Sequence, residues 1–253
     1  MSANKIIFLN QKGGVGKTTS VVNLGAALAK LGKRVLLVDF DSQGNLTSSV
    51  SADGSLPGMY EVITKQISAV DACQSTSNTN LYIISSNINM AGLNVELVDE
   101  DNRNLFVKDV LASIEQTFDF ILGDCPPSVG LVTVNALVWA QHVIIPLQCE
   151  YLAMEGLNQV MRTVASVRRS LNPSLDFLGI LFTMYSKRNK LSYEVVEDVS
   201  NYFSDKVFKT IIPRNVRLSE APSYGLPIFA YDANCSGAKA YMRFAEEVLN
   251  RVK

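Results

Sequence analysis

Lys12 and Lys17 lie in one short glycine-rich stretch, NQKGGVGKTT at residues 10–19. A phosphate-binding loop reads Gly, four residues of any kind, then Gly-Lys-Ser/Thr. Gly16, Lys17 and Thr18 fit the end of that pattern, whereas Gln11 stands where its first glycine would be and Lys12 adds a second cation. Phosphate needs a concave set of backbone N–H groups, and Gly13, Gly14 and Gly16 let the backbone curl without Cβ clashes. A helix starting near Thr18 turns its positive dipole end toward the anion. In that arrangement Lys17 reaches the terminal phosphates and the Thr18 hydroxyl ligates Mg²⁺, with Val15 and Thr19 completing the loop.

Two acids suit the same chemistry. Asp124 closes the apolar run FDFILGD, as an acid holding magnesium through water should. DCPPSVG follows it; paired prolines stiffen a turn and Gly130 frees one, which suits a segment that senses a terminal phosphate. Asp41, in DFDSQGN, can lie at the metal and orient or deprotonate an attacking water, or it can be a plain turn acid.

These residues need strands and helices to place them. Apolar, β-rich runs lie at 5–10, 33–41, 81–86, 118–124, 141–147, 176–184 and 206–212. Helical periodicity covers 19–32, where Val22, Leu24, Ala27, Leu28 and Leu31 share a face and Gly32 ends the helix, and also 104–117, 155–171, 192–204 and 237–252. Strands alternating with helices predict an α/β fold: a single doubly wound, mainly parallel sheet with helices on both faces. The polar stretch DACQSTSNTN at 71–80 reads as a surface loop, so residues 1–253 read as one domain. In such sheets ligands sit beyond the carboxyl ends of the strands. The glycine loop, the acids Asp39 and Asp41, and Asp124 all fall there.

The 253 residues are 47% hydrophobic and 19% charged, which suits a globule with a sizeable core. Apolar runs such as VIIPL are short of the ~20 residues that a membrane span needs, and the N-terminus lacks the pattern of a signal peptide. Cys73, Cys125, Cys149 and Cys235 are far apart and form no CxxC pair, so a reduced cytoplasmic setting is expected. His142, the only histidine, sits in WAQHVIIPL and reads as a structural strand-edge residue. Charge is polarised: residues 1–150 hold 9 Lys+Arg against 14 Asp+Glu, and residues 151–253 hold 14 against 10. Such a chain can meet a polyanion with one face.

KGGVGKTT, DFDSQGN, DCPPSVGLVTVNAL, IPLQCEYLAMEGL and IPRNVRLSEAPSYG, in this order, resemble the ParA/Soj chromosome-partition ATPases. These belong to the deviant Walker A group of P-loop NTPases, which also holds the division-site ATPase MinD. The similarity runs from about Lys5 to Val248. It implies an ATPase that uses ATP and Mg²⁺. It also implies that Lys12 reaches across a two-fold interface to phosphate on the partner's ATP. Two facing nucleotides bring many negative charges together, and a cation from each side offsets their repulsion, so a homodimer forms only with ATP. By the same resemblance Pro213 and Asn215 contact adenine, and Arg188 and Arg217, with Lys187 and Lys190 flanking the first, contact double-stranded DNA without sequence preference. A ParB-type centromere-binding protein then stimulates hydrolysis, on the nucleoid.

Two positions depart from the family pattern: Ser42 replaces a proline, and Gly123 replaces a branched apolar residue before Asp124. Both touch hydrolytic loops, so they bear on turnover; a strand-end glycine packs less and moves more. The alternatives are a MinD-like membrane-associated ATPase and an ATP-using metabolic enzyme of the same fold group. The former would need a basic amphipathic C-terminal helix. This chain ends EEVLNRVK, with Glu246 and Glu247 in the last predicted helix, and its first strand begins too early for an N-terminal helix-turn-helix domain.

Overall fold

The computed structural model describes residues 3–252. β1 (Asn4–Phe8) enters the glycine loop and α1 (Lys17–Lys30) leaves it. Next come β2 (Val35–Asp39), the short α2 (Asn45–Ser48) and α3 (Met59–Ile63), β3 (Cys73–Ser75) and β4 (Leu81–Ile84). The middle of the chain forms α4 (Leu93–Glu96), α5 (Phe106–Leu111), β5 (Phe120–Asp124), α6 (Leu131–Trp139) and β6 (His142–Gln148). α7 (Ala153–Ser170), β7 (Asp176–Thr183), α8 (Lys190–Phe203), α9 (Val216–Glu220), α10 (Ile228–Tyr231) and α11 (Ser236–Arg251) complete it.

The seven strands form one sheet in the order β3-β4-β2-β5-β1-β6-β7, parallel except for β3. Strand side chains alternate between faces. Ile6 and Phe8 of β1 therefore join Leu24 and Leu28 of α1 and Tyr241 and Phe244 of α11. Ile7 joins the opposite core, with Leu137 of α6, Leu157 and Val160 of α7, and Val199 of α8. Covering both faces requires strands that are apolar throughout, and β2 (VLLVD) is buried at every position. α7 shows the complementary pattern: Leu157, Val160, Val164 and Val167 repeat at helical spacing and are buried, while Arg168 and Arg169 sit in its last turn, where the dipole favours cations.

Register brings the chemistry together. Phe8 pairs with Asp124 and Asp39 pairs with Asp124, so the loop entrance and both strand-end acids lie side by side at one sheet edge.

Several expectations need correction. The run 206–212 is not a strand: it meets β7 through a bridge at Ile180–Val207 and the bonds of Phe208 N to Ile180 O and Ile212 N to Phe182 O, because the N–H groups of Lys209 and Thr210 between them turn to Glu247. Residues 71–80 are not merely a loop. Cys73–Ser75 pair antiparallel with β4, a short edge strand whose polar composition hid it. The helix at 104–117 breaks after Leu111 into 3₁₀-type turns closed by Ile114 N to Leu111 O and Thr117 N to Ile114 O. In α1, Leu31 is the cap and lies 39% exposed rather than on the buried face. α6 gave no periodic signal because seven of its nine residues are buried. His142 opens β6, an interior strand, with Nδ1 3.8 Å from Asp176 Oδ2; burial lowers its pKa, which Asp176 partly opposes.

Candidate nucleotide-binding site

Gly14 (φ 74°) and Gly16 (φ 88°) take the left-handed backbone that curls the loop; Gly13 does not. Distant strands brace the curl. Asn10 Nδ2 donates to Pro146 O (2.7 Å), Asn10 Oδ1 accepts from Lys12 N (3.0 Å), and Thr183 Oγ1 donates to Val15 O (2.8 Å). Sequence reasoning missed Asn10 and Thr183, which hold the loop without belonging to its motif. α1 begins at Lys17, just after Gly16, with no side-chain cap and no acid in its first turn, so its N-terminus is free to face an anion. In front of it lies a cleft of about 430 Å³ lined by Gly13, Gly14, Lys17, Thr18, Asp41 and Gln43, among others. A larger depression of about 860 Å³ opens near Asn4, Lys33, Asp119 and Leu249, at the amino ends of the strands, and shares no residue with the loop.

The two lysines of the loop point to different places. Lys17 is buried, with Nζ donating to Lys12 O (3.4 Å); burial lowers its pKa, and Asp124, Cys125 and Asp41 oppose that. Lys12 projects outward, its side chain 54% exposed, and pairs with Glu150 at the end of β6. No local signal in the sequence marks Glu150 as the partner of Lys12.

Thr18 Oγ1 donates to Asp124 Oδ2 (2.6 Å), and Asp124 Oδ1 is buried with no hydrogen-bond partner among the described residues. Burial pushes the Asp124 carboxyl up to about 8, Asp39 adds repulsion, and the Thr18 bond works the other way. A half-buried hydroxyl and an orphan carboxylate oxygen beside a phosphate cradle fit Mg²⁺: Thr18 would ligate it and Asp124 would hold its water. Asp39 is buried and accepts from Thr47 N (2.9 Å), Thr47 Oγ1 (2.8 Å) and Asp41 N (3.1 Å), so it knots the DFDSQGN turn. Burial raises its pKa to about 6, against those hydrogen bonds. Asp41 accepts from Gln43 N (3.1 Å) and also lines the cleft.

Gly123 is tighter than expected. A Cβ there would lie 2.8 Å from Phe40 Cε2 and 3.2 Å from Ile7 Cγ2. Phe40 is itself buried edge-on against Trp139. The space of the missing side chain belongs to Phe40, so this strand end is filled rather than loose.

A second pocket of about 250 Å³ adjoins the loop, with Gly16, Thr19, Pro213, Asn215, Leu218 and Tyr241 among its walls. Asn215 is committed elsewhere by both polar atoms: Oδ1 caps Arg217 N (2.8 Å) and Nδ2 donates to Ser236 Oγ (2.8 Å). Arg217 pairs with Glu220 (3.0 Å) and Asp232 (3.6 Å). Lys187 and Arg188 are exposed, and Lys190 pairs with Glu194 (3.2 Å). Thus the two halves of the expected DNA surface differ: the 187–188 loop is exposed, while Arg217 is shared between two carboxylates.

A strand, a left-handed glycine turn, a buried lysine and a threonine–aspartate pair define a P-loop nucleotide-binding protein. The family model of an AAA domain matches residues 3–177. The chain is 52% identical over 246 residues to the chromosome-partitioning ATPase Soj of Treponema pallidum, covering 97% of each. It is 45% identical over 258 residues to the chromosome partitioning protein ParA of Caulobacter vibrioides, covering 99% of this chain and 97% of that one. It also matches a crystal structure of cobyrinic acid a,c-diamide synthase from Mycobacterium smegmatis with bound ATP analog and magnesium, with a TM-score of 0.87, 37% identity, and coverage of 99% and 96%. The chain belongs to the Soj/ParA family of chromosome-partitioning ATPases.

Proposed function

We propose that this chain is an ATP-gated dimerising switch. It binds ATP and Mg²⁺, pairs through Lys12, holds double-stranded DNA without sequence preference as that dimer, and lets go when a ParB-type centromere-binding partner speeds hydrolysis to ADP and phosphate. The setting is the cytoplasm, on the nucleoid. Residues 1–253 act as one P-loop ATPase domain. The observation that carries this reading is the division of labour between the two lysines. Lys17 is buried at the α1 N-terminus and serves the chain's own phosphates. Lys12 stands out from the same loop, where it meets Glu150 and can serve a second copy.

When bound, Mg²⁺ offsets charge on the terminal phosphates and orients them. The chain's own residues do the rest. The N–H groups of Gly13–Thr19 cradle the phosphates. Thr18 and Asp124 hold the cation's place, and Asp41 faces the cleft where an attacking water must be aligned. Pro213 and Asn215 wall the base pocket.

DNA binding rests on Arg188 and Arg217 with Lys187 and Lys190. One copy offers few phosphate contacts, and two copies on one rigid body double them. At a slope of roughly −0.9 per neutralised phosphate, ~6 contacts lose about three decades of affinity between 50 and 200 mM salt.

Light scattering with ATP or ADP, with and without unrelated DNA duplexes, tests the reading. The parent should double in mass with ATP alone and bind DNA in that state; Lys12→Ala should bind nucleotide and stay monomeric. Dimerisation of Lys12→Ala like the parent sinks the role of Lys12. Binding to anionic vesicles in place of DNA favours the membrane-associated alternative; among the described residues no helix is long and apolar enough to cross a membrane. The Mycobacterium structure favours one further reading, ATP-driven amide formation at a carboxylate, and product analysis with ammonia and a polycarboxylic acid decides it.

A further inference from the structure

After α8 the chain returns beside β7 but fails to make a strand, and the reason lies on α11. Phe208 N donates to Ile180 O (2.9 Å) and Ile212 N to Phe182 O (2.9 Å), so both ends of the segment are tied to the sheet. Between them Glu247 takes two N–H groups: Oε1 accepts from Lys209 N (2.8 Å) and Oε2 from Thr210 N (3.0 Å). Arg251, one turn on, pairs with Glu247 Oε1 (3.1 Å). Its other contacts join the two sides of the gap: Nη1 donates to Leu178 O (3.0 Å) and Nη2 to Val207 O (2.7 Å), with the guanidinium 4.1 Å over the Phe208 ring. Gly179, at φ 156°, makes room for this; a Cβ would lie 2.5 Å from Lys206 O and 2.8 Å from Arg251 Nη1. The pair is only partly exposed, at 21% for Arg251 and 17% for Glu247, so its charge-assisted bonds are poorly screened by solvent.

This clamp ends where the 250 Å³ pocket begins. Ile212, Pro213, Arg214 and Asn215 follow the clamped residues directly and form a wall of that pocket. The same helix supplies another wall, Tyr241, whose hydroxyl shares a hydrogen bond with Ser20 Oγ (3.1 Å) on α1, just past the phosphate loop. α11 therefore grips the loop helix at one point and the 207–212 segment at another, and spaces the two.

We propose that Glu247 and Arg251 are positioning residues for the nucleotide base: by fixing the middle of the 207–212 segment between its two ties to the sheet they set the wall formed by 212–215 at the distance from Gly16 and Thr19 that an adenine ring needs. The inference rests on the reading of this pocket as the base site. The pair touches no nucleotide, so its effect falls on base-dependent affinity and not on the phosphate cradle.

Calorimetry with Mg-ATP and with Mg-tripolyphosphate, which lacks base and sugar, separates these effects. Glu247→Ala and Arg251→Lys should each weaken ATP about tenfold and leave tripolyphosphate within twofold of the parent. Lysine offers a point charge in place of a fork and cannot bridge both carbonyls. If Glu247→Ala melts below assay temperature, Glu247→Gln, which keeps an acceptor and loses the charge, should show the same base-selective loss to a smaller extent. Unchanged ATP affinity in the folded variants, or an equal loss for both ligands, overturns the positioning role. Ser219→Trp, which fills the pocket mouth, tests the underlying reading separately: if that variant binds ATP like the parent, the pocket is not the base site. If it loses ATP while the clamp variants do not, only the clamp is wrong.

Discussion

The two ends of the nucleotide cleft are built by opposite means. The phosphate end is nearly contiguous: ten residues, 10–19, supply the turn, the helix N-terminus, the buried lysine and the threonine. The proposed base end is assembled from pieces, Gly16 and Thr19, Thr183 and Met184, 212–222, and Tyr241. The difference shows in the polar groups. At the phosphate end they are left ready, with an uncapped helix and an unpartnered Asp124 oxygen. At the base end they are spent on structure, since Asn215 caps α9 and ties it to α11. On the proposed reading, shape would select the ligand at one end, and charge and N–H direction at the other.

The largest expected effect strikes the phosphate end. Asp41→Ala should bind ATP and keep the dimer, with turnover reduced ~10²–10⁴-fold, the usual span for a positioned acid or base. Phosphate release at the parental rate would reduce Asp41 to the turn acid that its bond to Gln43 N already makes it.

A pH series sharpens the same end. With its carboxyl raised to about 8, Asp124 must lose a proton to hold the cation, and each unit below that value costs about tenfold. Mg-nucleotide affinity should thus fall roughly 10²-fold from pH 8 to pH 6, and Asp124→Asn should flatten that dependence. Stability without ligand has the opposite sign. The folded state holds the Asp124 proton that the unfolded chain has released above about 4, so stability falls as pH rises toward 8. Asp39, raised to about 6, adds to the fall at its lower end. Thermal unfolding of the parent and of Asp124→Asn across this range checks the sign; a parental curve that rises from pH 6 to 8 contradicts it.

Gly123→Val restores the branched residue expected before Asp124 and should cost ~1–3 kcal/mol by overpacking against Phe40. Adding Phe40→Leu should recover most of it in denaturant titrations. Equal cost with and without the second change would mean that Phe40 does not occupy the space.

The smallest effect belongs to the base end. Asn215→Ala removes a helix cap and should cost ~1 kcal/mol of stability. ATP affinity should drop only modestly, because the side chain's polar atoms serve α9 and Ser236. A loss of base selectivity beyond that would show that Asn215 reads the base directly and would make the two ends more alike.

Most of the phosphate site was legible because its determinants are local. Glycines mark positive φ, an apolar run marks a buried strand, and an acid at its end marks the sheet edge where ligands bind. The proposed base side rests on family likeness alone. Its segment 206–212 carries the residue types of a strand, and the competition for its N–H groups comes from Glu247, 37 and 38 residues away. Gly123 misled for a related reason: its neighbour Phe40 comes from the segment just after β2, more than eighty residues earlier in the chain.

The amino-acid sequence by itself determined the α/β class, the loop and its helix, the acids at the strand ends and the lysine that has no place in a one-lysine loop. Each follows from φ preferences, hydrophobic period and helix dipoles acting over a few residues. Only the tertiary structure decided that Lys12 meets Glu150, 138 residues on, that Thr183 braces Val15 across 168 residues, and that Arg217 is shared by Glu220 and Asp232. Such pairings depend on strand order and register, which bring together groups whose meeting no local preference encodes.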